Sequence, residues 1–228
     1  MIKVYKIIFR MRSPAYLPEP LYLDGLLDAV HPNSHKRRRN INFMSSSKNV
    51  EPLSLPIASV EGIYCCTAYQ LPEEARLTTE VFTKRKTAGD ETMMRRKFVR
   101  GSGAFKDSMI KNAVTLTPYV YFYAATDEKY KYALTSALSD VSGIGSLRKM
   151  GFGDVGAVEV WETEKDWREC LVVNKTAMRA LPIDVLRTGI YPLTRGTVRA
   201  PYWLHSADEP CVNPGMMAEL RNDITCAM

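Results

Sequence analysis

The chain has 228 residues, 46% of them hydrophobic, and a net charge of +6, which is enough apolar content for one large domain or a domain with an extension. Its apolar runs are far too short to span a membrane, and Met1-Ile-Lys-Val-Tyr-Lys-Ile interleaves charge where a signal peptide needs an unbroken apolar segment, so a cytoplasmic protein with no membrane partner is expected. Five cysteines, two of them adjacent and none in a Cys-x-x-Cys pair, indicate neither a disulfide framework nor a zinc site, and no metal or cofactor is expected.

In chain order, Lys3 to Met11 alternates as a first strand with Tyr5, Ile7 and Phe9 on one face. Pro14, Pro18 and Pro20 form an extended elbow, and Pro20 opens a helix whose Leu23, Leu26, Leu27 and Val30 fall at helical spacing before Pro32 ends it. Residues 31–50 read as a long exposed loop with five Lys/Arg and no acidic residue, centred on Lys36-Arg37-Arg38-Arg39. Pro56 to Gly62 and Ile63 to Leu71 read as paired strands. Glu80 to Lys86 and Met93 to Arg100 read as a basic β-hairpin turning at Ala88-Gly89-Asp90. Residues 84–111 hold nine Lys/Arg against three Asp/Glu, so the remainder of the chain outside the two basic segments is acidic. Positive charge concentrated in this way is the footprint of a polyanion-binding protein.

Asn112 to Ala125 reads as one strand with Tyr119, Tyr121 and Tyr123 on a single side, suited either to stacking bases or to packing against the C-terminal segment. Tyr130, Leu134, Ala137, Leu138 and Val141 then define an amphipathic helix, capped by Thr126 or Asp127 and ended by Gly143. Val155 to Glu162 alternates as a final strand. Strand, helix, strands, helix, strand is the ferredoxin-like order, giving an α+β domain over residues 1–165 and a C-terminal extension over 166–228 to which no fold is assigned.

Between that helix and that strand lies Gly143-Ile-Gly-Ser-Leu-Arg-Lys-Met-Gly-Phe-Gly153. A dinucleotide fingerprint needs a glycine where Arg148 stands, and a P-loop needs a Gly-Lys-Ser/Thr that is missing. Both also run strand, loop, helix, the reverse of the order here. Clustered glycines permit positive φ and close approach, and Arg148 and Lys149 add charge for an anion.

Gly143, Ile144, Gly145, Arg148, Lys149, Gly151 and Gly153 match the glycine-rich signature of the RAMP superfamily of CRISPR RNA-binding proteins, which the chain resembles. With Leu21 to Val30 and Arg199-Ala-Pro-Tyr-Trp203, the resemblance over most of residues 1–203 is to the small RAMP subunit of type IV CRISPR effector complexes. It implies a ferredoxin-like (RRM-like) RAMP domain with a basic β-hairpin thumb at residues 80–111. It implies a non-catalytic role in capping the five-prime handle of the guide RNA, with the backbone and large subunits of the complex as partners. These complexes compete with other mobile DNA, with guide pairing reading the target.

The RNA-binding residues expected are Gly143, Gly145, Arg148, Lys149, Gly151 and Gly153 in the loop, and Lys84, Arg85, Lys86, Arg95, Arg96 and Lys97 in the hairpin. Lys36, Arg37, Arg38 and Arg39 are expected on RNA, on a neighbouring subunit's RNA or on target duplex DNA. Some RAMP relatives are endoribonucleases that process CRISPR RNA without a metal, which makes His31 and His35 beside the basic run, and His205, the candidate acid–base groups for that alternative. None has a second histidine at a pairing distance in sequence, and a non-enzymatic role is expected.

Overall fold

The computed structural model describes residues 1–18, 20–33, 54–84, 108–199, 202 and 208–228. The chain is a mixed α+β protein whose strands pair antiparallel. Its central strand is the first, β1 (Ile2–Met11), followed by helix α1 (Leu23–Val30) and the two-residue strands β2 (Ser59–Val60) and β3 (Ile63–Tyr64). A long ribbon pairs β4 (Arg76–Lys84) with β5 (Ser108–Leu116). Then come β6 (Tyr119–Asp127), helix α2 (Lys131–Ser139) and β7 (Val155–Thr163). The last segment carries β8 (Val172–Val173), β9 (Thr176–Ala177), β10 (Leu181–Pro182), β11 (Leu193–Gly196) and β12 (Glu209–Val212).

β1 lies between β6 and β7 and is antiparallel to both, so β6, α2 and β7 form a β-α-β unit split by the first strand. Along the free edge of β6, residues 65–70 run antiparallel as an irregular strand, with Thr67 N donating to Tyr123 O (2.9 Å) and Gln70 and Tyr121 exchanging backbone bonds (2.8 and 3.0 Å). Both helices cover one face, where Leu23, Leu26, Leu27, Leu134 and Leu138 bury Ile7, Phe9, Val120 and Phe122.

Alternation in β1 sends Tyr5, Ile7 and Phe9 to the helices, as the sequence predicts, and Lys6, Ile8 and Arg10 to the opposite face. One end of that opposite face is covered. Val4 and Ala125, opposite each other in register, share a buried cluster with Cys170, Leu171, Leu181, Val185 and Val212. The described part of residues 166–228, to which the sequence assigns no fold, thus packs on the sheet and carries a small sheet of order β10-β12-β11. Arg179 ties this segment to α1: it is fully buried, 3.2 Å from the carboxylate of Asp24, and the Tyr202 hydroxyl bonds both groups.

The structure corrects several elements. Asn112 to Ala125 is two strands, not one: Pro118 has no N–H to give a ladder, and Thr117 Oγ1 donates to Tyr119 O (2.7 Å), turning the chain out of the β4–β5 ribbon into the main sheet. The partner of β4 is Ser108–Leu116 rather than Met93 to Arg100, which, like the expected turn at Ala88 to Asp90, lies outside the described residues. The strands expected over 56–71 pair only at Ser59–Tyr64 and Val60–Ile63, around Glu61 and Gly62 at φ +49° and +77°, a two-residue turn that suits strand twist. Gly143 does not cap α2. The helix ends at Ser139, where Asp140 keeps right-handed φ/ψ and donates back to Ala137 and Leu138, while Gly143 pairs with Asp154. Nor is α2 capped by a side chain at its start: Asp127, one of the two expected caps, accepts from Lys129 N (3.2 Å) and so caps the 3₁₀ turn Glu128–Tyr130 that leads into the helix.

Candidate nucleic-acid interface

The glycine loop is a closed structure that presents its basic residues outward. Its two ends are stitched together, with Ile144 N donating to Gly153 O (2.8 Å) and Val155 N to Ser142 O (3.1 Å). It is also laced to the elbow after β1: Ser146 N donates to Tyr16 O (2.9 Å), Gly153 N to Pro14 O (2.7 Å) and Asp154 N to Ser13 Oγ (2.9 Å). Ile144 and Phe152 are buried beneath it.

Two glycines are dictated by this packing. At Gly145, with φ +85°, a Cβ would lie 2.4 Å from Tyr16 O; at Gly153, with φ +70°, a Cβ would lie 1.9 Å from Ile144 O. The close approach that the glycine spacing predicts is here made by the chain's own backbone, at the carbonyls of Tyr16 and Ile144. Gly151 faces open space. Between them Leu147 takes a left-handed φ of +58°, a conformation that costs a β-carbon residue about 1–2 kcal/mol. It launches a 3₁₀ turn, Arg148–Met150, whose Arg148 and Lys149 side chains stand exposed. A concavity of about 630 Å³ is lined by Ser13, Gly143, Arg148, Lys149, Gly151 and Asp154 among others.

The ribbon meets this loop. Phe82 of β4 packs edge-on against Phe152 at 5.3 Å between ring centroids, and Ala15 exchanges backbone bonds with Thr115 of β5 (2.9 and 2.8 Å). The loop that carries the Arg148–Lys149 turn is therefore a neighbour of the ribbon, meeting it at Phe82 two residues from the end of β4, while the elbow meets its foot at Thr115. Lys84 ends β4 opposite Ser108. Arg85, Lys86, Arg95, Arg96, Lys97, Lys36, Arg37, Arg38 and Arg39 lie outside the described residues, as do His35 and His205. His31 follows α1, and its Nδ1 accepts from Asn33 N (3.2 Å).

The tyrosine face divides in two. Tyr123 packs against the cluster that holds the C-terminal segment, so it serves the packing role. Tyr119 and Tyr121 lie beyond it on the uncovered end, 6.1 Å apart at their centroids. Lys6 Nζ sits 4.4 Å from the Tyr121 ring centre and the Arg10 guanidinium 5.3 Å from that of Tyr119. Partial burial, with a smaller effect from Tyr123 and Tyr119, pushes the Tyr121 hydroxyl above its ordinary pKa. This uncovered patch was not resolved in sequence, because nothing in the alternation of β6 says where the C-terminal segment stops.

Among the described residues no group of three His, Cys, Asp or Glu is placed to hold a metal, and no helix is long and apolar enough to cross a membrane. The cysteines are free; Cys65 and Cys226 have their sulfurs 3.4 Å apart, and burial and Asp24 push the Cys66 thiol far up. No protein-family model matches the chain, and a search of curated proteins finds no match.

Proposed function

We propose that this chain is a non-catalytic RNA-binding subunit of the RAMP type, which caps the five-prime handle of a guide RNA in a type IV CRISPR effector complex. The observation that carries the proposal is the packing of the loop that bears the exposed Arg148–Lys149 turn against the β4–β5 ribbon, Phe152 on Phe82. The strand arrangement supports the ferredoxin-like form of that reading. β1 between β6 and β7, with residues 65–70 along the far edge of β6, is the order a ferredoxin-like domain requires.

In this reading the loop is a rigid mount rather than a cradle. Its Ile144, Ser146, Gly153 and Asp154 N–H groups are spent on the elbow and on the loop itself. Phosphate recognition then falls to the Arg148 and Lys149 side chains, held at a fixed place by the 3₁₀ turn. The reading also expects contacts to RNA from Arg85, Lys86, Arg95, Arg96 and Lys97, and to RNA or target duplex from Lys36–Arg39, all of which lie outside the described residues. Recognition of backbone and shape suits a subunit whose specificity comes from guide pairing.

Native purification tests this directly. The chain should retain an RNA that ribonuclease removes and deoxyribonuclease does not, and the pure protein should leave a CRISPR repeat RNA uncut. Preparations free of nucleic acid would contradict the binding role. Metal-independent cleavage lost in His31→Ala or His35→Ala would make the protein a processing nuclease instead.

A further inference from the structure

The open end of the main sheet, apart from the glycine loop, carries its own group of aromatic and basic side chains. Across it, register sets three rows: Tyr123–Lys6–Trp161, Tyr121–Ile8–Glu159 and Tyr119–Arg10–Ala157. Tyr123 is taken by the C-terminal cluster, but Trp161, on the edge strand β7, is 59% exposed. An indole this exposed is unusual on a folded surface, and it is not loose. Its Nε1 donates to Glu159 Oε2 (3.3 Å), while Arg10 Nε donates to Glu159 Oε1 (2.7 Å). The Arg10 and Trp161 bonds hold the Glu159 carboxyl below its ordinary pKa, so it stays ionised and keeps both neighbours in place.

We infer that this face stacks unpaired bases of single-stranded RNA, with Trp161 as the anchoring ring, Tyr121 and Tyr119 extending the platform, and Lys6 and Arg10 meeting the phosphates. The inference rests on the RNA-binding reading above and adds to it which part of the RNA the sheet takes. Three observations favour a nucleic acid over a protein surface. Aromatic rings and cations are interleaved rather than segregated, which matches a chain of alternating π-faces and phosphates. Neighbouring rows lie two residues apart, roughly 6.5–7 Å, a step that splayed bases span but paired bases do not. The patch also runs on toward the glycine loop: Arg12, two residues past Arg10, donates to Gly156 O (3.3 Å) and lies 3.8 Å from Asp154, which directly follows Gly153. The sheet face and the glycine loop are thus joined by a row of arginine–carboxylate pairs, Arg10–Glu159 and Arg12–Asp154.

The test is a titration of the full chain with a single-stranded RNA dodecamer and with a duplex of the same length, comparing wild type, Trp161→Ala, Trp161→Phe and Arg148→Ala/Lys149→Ala. Wild type should show indole quenching with the single strand. Trp161→Ala should lose that quenching and bind about 10-fold more weakly, with an unchanged melting temperature. Trp161→Phe should recover most of the affinity, since stacking needs the ring and not the N–H, and duplex binding should be the same in all Trp161 variants. Trp161→Ala binding the single strand as tightly as wild type, while the Arg148/Lys149 variant binds weakly, would overturn the platform and leave the glycine-loop reading standing. Wild type binding neither RNA would overturn both. A Trp161→Ala phenotype limited to self-association or to loss of a protein partner would also overturn the platform.

Discussion

Replacing Arg179 with alanine is expected to lower the unfolding free energy by about 3–5 kcal/mol, the cost of leaving one member of a buried ion pair behind. Arg179 and Asp24 are both fully buried, with Arg179 Nη2 3.2 Å from the carboxylate. Burial alone opposes the guanidinium's charge, yet Asp24, together with Tyr202 and Cys66, more than offsets it and holds Arg179 well above its ordinary pKa. Arg179 also donates to Tyr64 O (2.5 Å) and Val198 O (3.3 Å) and lies 5.0 Å from the Tyr22 ring centre. Its loss would leave the buried Asp24 carboxylate without a cation and remove a donor from the Tyr64 and Val198 carbonyls. Because this cluster joins α1 to residues 177–202, chemical denaturation should also lose cooperativity. The double variant Asp24→Leu/Arg179→Met should be less damaging than Arg179→Ala, because no unpaired charge remains. A loss below about 1 kcal/mol for the single variant would show that water enters the cluster and that it does not join the two parts.

The second large effect is expected at Gly153. In Gly153→Ala the new methyl would meet the Ile144 carbonyl at 1.9 Å, on a residue whose φ of +70° alanine also resists. The Ile144–Gly153 and Gly153–Pro14 bonds must open to relieve it. A loss of at least about 2 kcal/mol follows from strain and the broken bonds together. Gly151→Ala makes an instructive contrast, since nothing lies within 4 Å of its added methyl and only φ +88° is unfavourable, so its cost should stay near about 1 kcal/mol. Denaturation midpoints decide between them, and equal losses would mean that the loop is not closed on itself in solution. Hydrogen exchange at the Ile144 amide gives the local readout: fast in Gly153→Ala, protected in Gly151→Ala.

The same comparison shows how far the sequence could be read. Elements with strong local signals were legible. β1 and β7 alternate, α1 has leucines at helical spacing, and Asp127 stands where a cap belongs. What was not legible depended on partners distant in the chain. Nothing local in Asn112 to Ala125 says that Val114 belongs to the ribbon and Val120 to the main sheet; Pro118 was the available signal, an interruption within an otherwise strong strand pattern. Gly143 looked like a helix cap because glycine commonly ends helices, but Asp140 ends this one without left-handed backbone.

For the candidate site, residue types were readable and roles were not. Tight glycine spacing signals close approach without naming what approaches, and at Gly145 and Gly153 it is the carbonyls of Tyr16 and Ile144. The meeting of Phe82 with Phe152 had no sequence signal, since a phenylalanine in a strand and another in a loop are commonplace. Trp161 carried one that went unused: in the alternation of β7 it stands opposite Val158 and Val160, the side that a sheet with one covered face leaves to solvent. Tyr202 stands out in the sequence only as part of the Arg199–Trp203 segment that carries the resemblance, and its hydroxyl is bonded to Asp24 and Arg179.

The proposal that the Arg148–Lys149 turn holds an RNA strand by its phosphates is tested most directly by the salt dependence of binding. Affinity for a single-stranded RNA, taken across a series of salt concentrations, should fall less steeply in Arg148→Ala/Lys149→Ala than in wild type, with the log–log slope shallower by about 1.4 for two lost phosphate contacts. Both side chains are exposed and the turn's backbone bonds do not involve them, so the variant should fold as wild type does. A variant whose affinity and slope both match wild type would contradict the account.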